Sequence, residues 1–213
     1  PESGLWVLNL TGGGRLEADA VCLALASYQS AKLVEHFDSS LSHKLNVVPY
    51  ASTATVNLAY PRAAIPHPLD GFGFVVPTIE RRRILACTFC HIKFAGRSPN
   101  DQALLRAFVG GALQPDAFEL DDQNMFRAVR RELQDLLGIK AEPLFHRVER
   151  HPKAMAQYPV GHLDWIAAID AHVQNYSTLQ LAGNAFMGVG IPDCVHRAEE
   201  CADGILAELR KRI

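Results

Sequence analysis

The chain lacks any uninterrupted apolar run long enough to span a membrane, because charges, prolines or glycines break every candidate. It also lacks a charge excess. Its 21 Lys and Arg stand against 23 Asp and Glu, a formal net charge of −2. Such a balance offers no general field for nucleic acid and leaves only a local basic patch to do that work. A disulfide framework is missing too. The 213 residues hold five cysteines, an odd number, at positions 22, 87, 90, 194 and 201. That spacing does not fit a small stapled secreted domain and points to a reducing, cytoplasmic compartment. No internal repeat or low-complexity tract occurs. The start, Pro1-Glu-Ser-Gly4, has no initiator Met and neither region of a signal peptide. This is expected of a processed protein or of a piece of a longer one.

What is present is globular. Hydrophobic residues make up 48 % and charged residues 21 % of the chain, enough for a sizeable core in one large or two small domains. Leu5–Leu10 reads as a strand, followed by a turn at Thr11-Gly-Gly-Gly-Arg15. Ala20–Leu25 is a continuous apolar run, as in a strand covered on both faces. Leu33, Phe37, Leu41, Leu45 and Val48 recur at helical spacing until Pro49. Residues 54–60 alternate with period two. Phe72–Pro77 and Arg83–Phe89 read as a hairpin pair, and Ala103–Val109 as a further strand. Asp121 or Asp122 caps a helix with Met125, Val129, Leu133, Leu136 and Leu137 on one face, closed by Gly138.

Leu144–Arg150 is expected as a strand, and Leu163, Ile166, Ile169 and Val173 mark another helix. The strand Leu179–Ala182 precedes Gly183-Asn-Ala-Phe-Met-Gly-Val-Gly190, and Pro192 fits the first position of a final helix. The pattern is α/β (α+β), with the two chain ends forming parts of one layered domain and the middle forming a sheet that carries one or two helices. Residues 1–30 and 178–213 should then meet in space.

Several features carry chemistry. The strand, glycine loop and helix at the carboxyl end could seat an anion or an electron sink, because a helix start leaves N–H groups unpaired and carries a partial positive charge. A GxGxxG fingerprint, a GxxxxGK[ST] loop, a GxSxG elbow and an HExxH helix are all missing. Cys87-Thr-Phe-Cys90-His91 spells a c-type haem attachment motif. An alternating strand would however put Cys87 with Phe89 on one face and Cys90 on the other. No second ligand pair stands at zinc-finger spacing. His162 is the histidine of most interest, because it opens a helix. Phe72, Phe74, Val75 and Phe108 would line neighbouring strands and could wall a flat apolar slot, with alternation putting Phe72 and Phe74 on one face.

Five segments together resemble the carboxyl-terminal half of the protoporphyrinogen oxidase family, within the flavin amine oxidase superfamily. They are Ala18-Asp-Ala-Val-Cys-Leu-Ala24, Pro66-His-Pro-Leu-Asp-Gly-Phe-Gly-Phe-Val-Val-Pro77, Leu105-Arg-Ala-Phe-Val-Gly-Gly111, Gln157-Tyr-Pro-Val-Gly-His162, and Leu181-Ala-Gly-Asn184 with Gly188-Val-Gly-Ile-Pro-Asp193. The GFGxxVP and GNxxxGVGIPD stretches are the specific ones.

The resemblance implies an FAD enzyme of haem and porphyrin biosynthesis that oxidises a porphyrinogen to a porphyrin, with oxygen or another acceptor taking the electrons. It implies that Phe72, Gly73, Val75 and Phe108 contact the macrocycle. It also implies that Gly183 and Asn184 lie near the ribityl-pyrophosphate, that Val189, Gly190 and Ile191 lie near the flavin ring, and that Gly188 belongs to the same cofactor site. No protein acid or base, and no metal, is implied as catalytic, since the cofactor carries the chemistry. On this view residues 1–30 and 160–213 are a remnant of a Rossmann-like FAD-binding domain, and residues 31–159 are a mixed-sheet substrate domain. The missing GxGxxG half, in cis or as a separate chain, becomes a required partner, and without it the FAD site is incomplete and the chain inactive. The resemblance further allows peripheral membrane contact through that half, at the inner face of the membrane, and a homo-oligomer. It implies no nucleic-acid partner. A non-catalytic tetrapyrrole-binding module, or another amine oxidase-type flavoenzyme acting on amines or carotenoid precursors, are the competing readings.

Overall fold

A computed structural model describes residues 4–212 of the chain. The elements run β1 (Trp6–Asn9), β2 (Arg15–Ala18), β3 (Val21–Leu23), α1 (Ser27–Val34) and α2 (Ser39–Asn46). There follow β4 (Tyr50–Pro61), β5 (Gly73–Val75), β6 (Ala86–Phe89), α3 (Cys90–Lys93), β7 (Gln102–Gly110), α4 (Pro115–Glu119), α5 (Asp122–Leu137) and β8 (Phe145–Ala156). The last are α6 (His162–Val173), β9 (Leu179–Leu181) and α7 (Ile191–Arg210). The class is α/β, as expected. The chain forms two compact units: everything up to Pro49 together with everything from Ala156, and Tyr50–Met155 between them. Residues 31–49 and 156–159, which the sequence reading groups with the middle segment, belong by compactness to the unit of the chain ends. Among them α1 packs on α2, and α2 on α6.

In the unit of the ends, β3 pairs in parallel with β9, with Val21 opposite Leu179 and Leu23 opposite Leu181. Only three residues of the expected strand over 20–25 are extended in this way. The strand at 6–9 is not solitary but half of an antiparallel hairpin with β2, with Trp6 opposite Ala18. The apolar spacing from Leu33 to Val48 predicts one helical stretch, yet the structure has two helices. Asp38 makes the break: its side chain accepts the Leu41 N–H at 2.8 Å and so starts α2. A carboxylate satisfies an otherwise orphaned N–H there better than continued helix would. Leu33 is consequently exposed and Phe37 only partly covered, whereas Val34, Leu41 and Leu45 are buried.

Asp38 does more than cap. The Tyr176 hydroxyl donates to it at 2.8 Å, and His172 Nε2 lies 2.7 Å away. Above this group Trp6, Phe37 and Tyr176 meet edge-on or tilted, at ring separations of 5.4 to 6.1 Å. The Trp6 indole N–H donates to Thr178 Oγ1 at 2.9 Å. These contacts tie the start of the chain to its end.

In the sheet unit the strand order is β5-β6-β7-β4-β8, and β5/β6, β6/β7 and β7/β4 are antiparallel. The alternation read from the sequence is borne out. Ala54, Val56, Leu58 and Tyr60 of β4, with Ala103, Leu105, Ala107 and Val109 of β7, face a single core that includes Met125, Val129 and Leu133 of α5. Helix α5 begins and ends where expected, with Asp121 accepting the Asn124 N–H at 2.8 Å and Gly138 closing it in a left-handed conformation. Glu132, buried on the same helix, accepts from the Arg82 guanidinium at 2.9 Å and from the Arg83 N–H at 2.8 Å. The loop between β5 and β6 is pinned to the helix in this way.

Burial pushes the Asp38 carboxyl up, but the Leu41 N–H, the Tyr176 hydroxyl and His172 outweigh it and hold it below the ordinary carboxylate range. A carboxyl depressed in the fold contributes stability above its unfolded value of about 3.9, and that contribution is lost as pH falls through the folded value. Asp38→Ala is expected to cost about 1–2 kcal/mol at pH 7 through the lost cap. The difference from the parent chain should shrink below about pH 4. Urea unfolding midpoints at pH 7 and pH 3 check both statements.

Candidate functional site

The glycine loop of the end unit is held by its own side chains and by one tyrosine. Beyond β9, Ala185 and Phe186 are fully buried and plug the loop into the unit. The Tyr158 hydroxyl donates to the Asn184 carbonyl at 2.8 Å and accepts the Gly188 N–H at 2.9 Å. One phenol thus bridges the two ends of the 184–188 segment. Its ring stacks on His162, with centroids 3.8 Å apart and planes 12° apart. His162 is 4 % exposed, and its Nε2 lies 3.3 Å from the Phe186 carbonyl. A carbonyl only accepts, so Nε2 carries the proton. His162, singled out because it opens a helix, therefore acts as a prop beneath the loop.

Between Phe186 and α7 the backbone is bare and its rim apolar. Met187, Val189 and Ile191 are all exposed, Ile191 to 81 %. Gly190 precedes the helix, and Pro192 is its second residue rather than its first. The sequence reading leaves the helix start free for an anion, but the structure adds an internal one. Asp193 Oδ2 accepts the Gly190 N–H at 3.2 Å. A Cβ at Gly188 would lie 2.5 Å from that of Asp193, at a φ of +143° that side chains rarely adopt. The glycine makes room for the carboxylate, and the carboxylate offsets part of the positive end of the helix.

In the sheet unit, the residues expected to meet a macrocycle fall on neighbouring strands. Val75, Ala86, Phe108 and Thr55 form one row across β5, β6, β7 and β4, and Gly73, Thr88, Arg106 and Asn57 form the next. Both rows lie on the face away from the core. Val75 is 79 % exposed and Phe108 half-buried. Phe72 and Phe74, however, do not share a face. Phe74 packs against the core and meets Phe89 edge-on at 6.1 Å, whereas Phe72 is 67 % exposed. Gly73 is the cause. Its φ of +136° twists the chain between the two rings, and a Cβ there would sit 2.1 Å from the Cys87 carbonyl oxygen.

The haem-like spelling resolves differently from its expected strand. β6 stops at Phe89, and Cys90 and His91 begin the short α3. Cys87 and Cys90 are both buried, and burial, then the neighbouring Cys90, pushes the Cys87 thiol up to about 12. Both thiols belong to the packing. A cleft of about 460 Å³ lined by Asp170, Gln180, Arg197 and Glu208 lies along the later turns of α7, among residues outside the glycine loop. Asp193, Asn57 and Arg106 are the residues that sequence reasoning passed over. The signals were an acid three residues after a helix-leading glycine, and the two-residue step from Phe108 to Arg106 on one strand face.

The chain belongs to the flavin containing amine oxidoreductase family, whose model matches residues 2–206. It is 35 % identical over 205 residues to coproporphyrinogen III oxidase of Propionibacterium freudenreichii subsp. freudenreichii, covering 94 % of this chain and 38 % of that protein. It is 29 % identical over 206 residues to the chloroplastic protoporphyrinogen oxidase of Oryza sativa subsp. japonica, covering 92 % and 38 %. A crystal structure from Exiguobacterium sp. 255-15, provisionally designated a protoporphyrinogen oxidase, superposes with a TM-score of 0.84 at 31 % identity, over 98 % of this chain and 45 % of that one. A putrescine oxidase variant shares the fold, with a TM-score of 0.73 at 16 % identity over 96 % and 46 %. The chain thus spans about two fifths of the length of the curated relatives it matches.

Two substitutions test how these segments are held. Tyr158→Phe removes one donor and one acceptor and should cost about 1 kcal/mol. Amide exchange should speed up at Gly188 while β9 stays protected. Gly73→Ala should cost about 1–3 kcal/mol from backbone strain. Exchange at Val76 and Phe89, whose amides bond across the β5/β6 edge at 2.8 and 2.9 Å, should rise far more than in β4 or β7.

Proposed function

We propose that this chain is the carboxyl-terminal portion of an FAD-dependent porphyrinogen oxidase of haem and porphyrin biosynthesis. The observation that carries the reading is the likeness to porphyrinogen oxidases over nearly the whole chain, joined to a sheet face that presents Val75, Phe108 and Gly73 away from the core. When bound, the flavin supplies two-electron oxidation of the macrocycle. The chain's own residues supply position. Gly183 and Asn184 are assigned to the ribityl-pyrophosphate, and Gly188, Val189, Gly190 and Ile191 to the ring. Tyr158 and His162 keep that backbone in place, and the bare rim admits a flat group closely. Phe72, Gly73, Val75 and Phe108 are assigned to the tetrapyrrole.

Relatives named coproporphyrinogen III oxidase reach 36 % identity and the plant protoporphyrinogen oxidases 29 %, which supports a substrate bearing four propionates. Because the sequence carries no GxGxxG loop, tight FAD binding and turnover need a partner segment that supplies one. A cytoplasmic location is part of the reading. Among the described residues no helix is long and apolar enough to cross a membrane.

The test titrates coproporphyrin III and FAD separately against the purified chain by absorbance and fluorescence. It then assays coproporphyrinogen oxidation after adding the amino-terminal half of a relative. The expected result is porphyrin binding, sub-stoichiometric FAD, and oxidation only in the mixture. Porphyrin binding without any flavin effect in the mixture would favour the non-catalytic binding module. Absence of porphyrin binding overturns the proposal.

A further inference from the structure

We infer that Arg106 is a specificity-determining residue that recognises a propionate carboxylate of the substrate; this rests on the porphyrinogen reading and adds a residue to it. Along β7 the side chains of Ala103, Leu105, Ala107 and Val109 enter the core. Arg106 and Phe108 therefore project from the other face. Asn57 stands directly opposite Arg106 on β4, and the Arg106 Nε–H donates to Asn57 Oδ1 at 2.8 Å. That bond fixes the plane of the guanidinium and leaves its two terminal nitrogens as a fork.

The partner is an amide, which orients a cation without neutralising it. Other arginines of the sheet unit contrast with this: Arg82, Arg83, Arg130 and Arg150 each pair with a carboxylate, at 2.6 to 2.9 Å. Arg106 has no carboxylate partner among the described residues. A half-buried, oriented and unneutralised guanidinium is an unfinished electrostatic arrangement, and a ligand carboxylate completes it.

The neighbours define the rest of the ligand. In its own row Arg106 is flanked by Thr88 and, beyond it, Gly73, which puts no side chain over that end of the row. One row along stand Phe108, Ala86 and exposed Val75, about 7 Å away along the strand. An apolar strip beside a cationic fork suits a flat apolar ring carrying a short carboxylate arm. A tetrapyrrole with a propionate at the matching corner meets that description, and one with a vinyl group there does not.

The test measures fluorescence titrations of coproporphyrin III and of its tetramethyl ester against the full 213-residue chain. The variants are Arg106→Gln, Arg106→Lys and Asn57→Asp. Arg106→Gln should weaken the acid about tenfold and leave the ester unchanged. Arg106→Lys should recover part of the loss, since it keeps the charge without the fork. Asn57→Asp keeps the guanidinium in place but supplies an internal carboxylate, so it too should weaken the acid only. Unchanged far-UV dichroism marks the variants as folded. Should all three bind acid and ester as the parent does, the role of Arg106 is overturned while the porphyrin reading stands. If the parent binds neither ligand, both fall together. Equal weakening of acid and ester by Arg106→Gln assigns the residue to packing and also overturns the inference.

Discussion

The unit of the chain ends depends on contacts that close over most of the sequence. The Trp6 indole bonds to Thr178, Asp38 gathers His172 and Tyr176, and β3 lies in parallel register with β9. Each joins a residue before Pro49 to one after Ala156, with the whole sheet unit in between. Closing so long a loop costs entropy that grows only slowly with its length. A few well-made contacts therefore suffice, provided they form together. The aromatic group of Trp6, Phe37 and Tyr176 adds apolar area around the polar bonds. Asp38 is worth more than its single charge because it caps α2 with the same carboxylate that binds α6 and the residues after it.

That closure gives the glycine loop its frame. β9 is held by β3, Phe186 is buried just beyond it, and Tyr158 reaches across to both ends of the next segment. What the loop then offers is shape more than charge. Asp193 already draws on the positive end of α7, so the field at the helix start is weaker than a bare count of unpaired N–H groups suggests. The exposed Met187, Val189 and Ile191 make a rim that favours a planar, largely apolar edge over a compact anion.

Much of this was legible in advance, for definable reasons. The alternation in β4 and β7 and the apolar stripe of α5 follow from burial on one face, which leaves a period in the sequence. Asp121 and Gly138 mark the ends of α5 because caps are local chemistry. The glycine loop, Phe108 and Val75 were within reach of motif and period. The misreadings occur where a single residue overrides a period. Asp38 breaks the helical spacing of Leu33 and Phe37, and the positive φ of Gly73 parts Phe72 from Phe74 by a backbone angle that no side-chain pattern encodes. The two-fold use of the CTFCH segment, strand then helical turn, is likewise a tertiary outcome: both cysteines are needed as buried packing.

Two arginines in the sheet unit show how one residue type serves opposite ends. Arg82 is paired with Glu132, an acid on α5 buried beneath the β5–β6 loop. Removing either partner there would strand a charge in a poorly solvated place, so the pair holds the loop to the helix. Arg106 stands on the other face of the sheet, and its neighbour across the strand is an asparagine. Orientation without neutralisation contributes little to the fold by itself, because the guanidinium keeps its desolvation cost and gains only a neutral acceptor. Such an arrangement makes physical sense when the missing negative charge arrives from outside. The core face of the sheet is thus complete in itself, whereas the opposite face presents an oriented guanidinium beside the apolar row of Val75, Ala86 and Phe108.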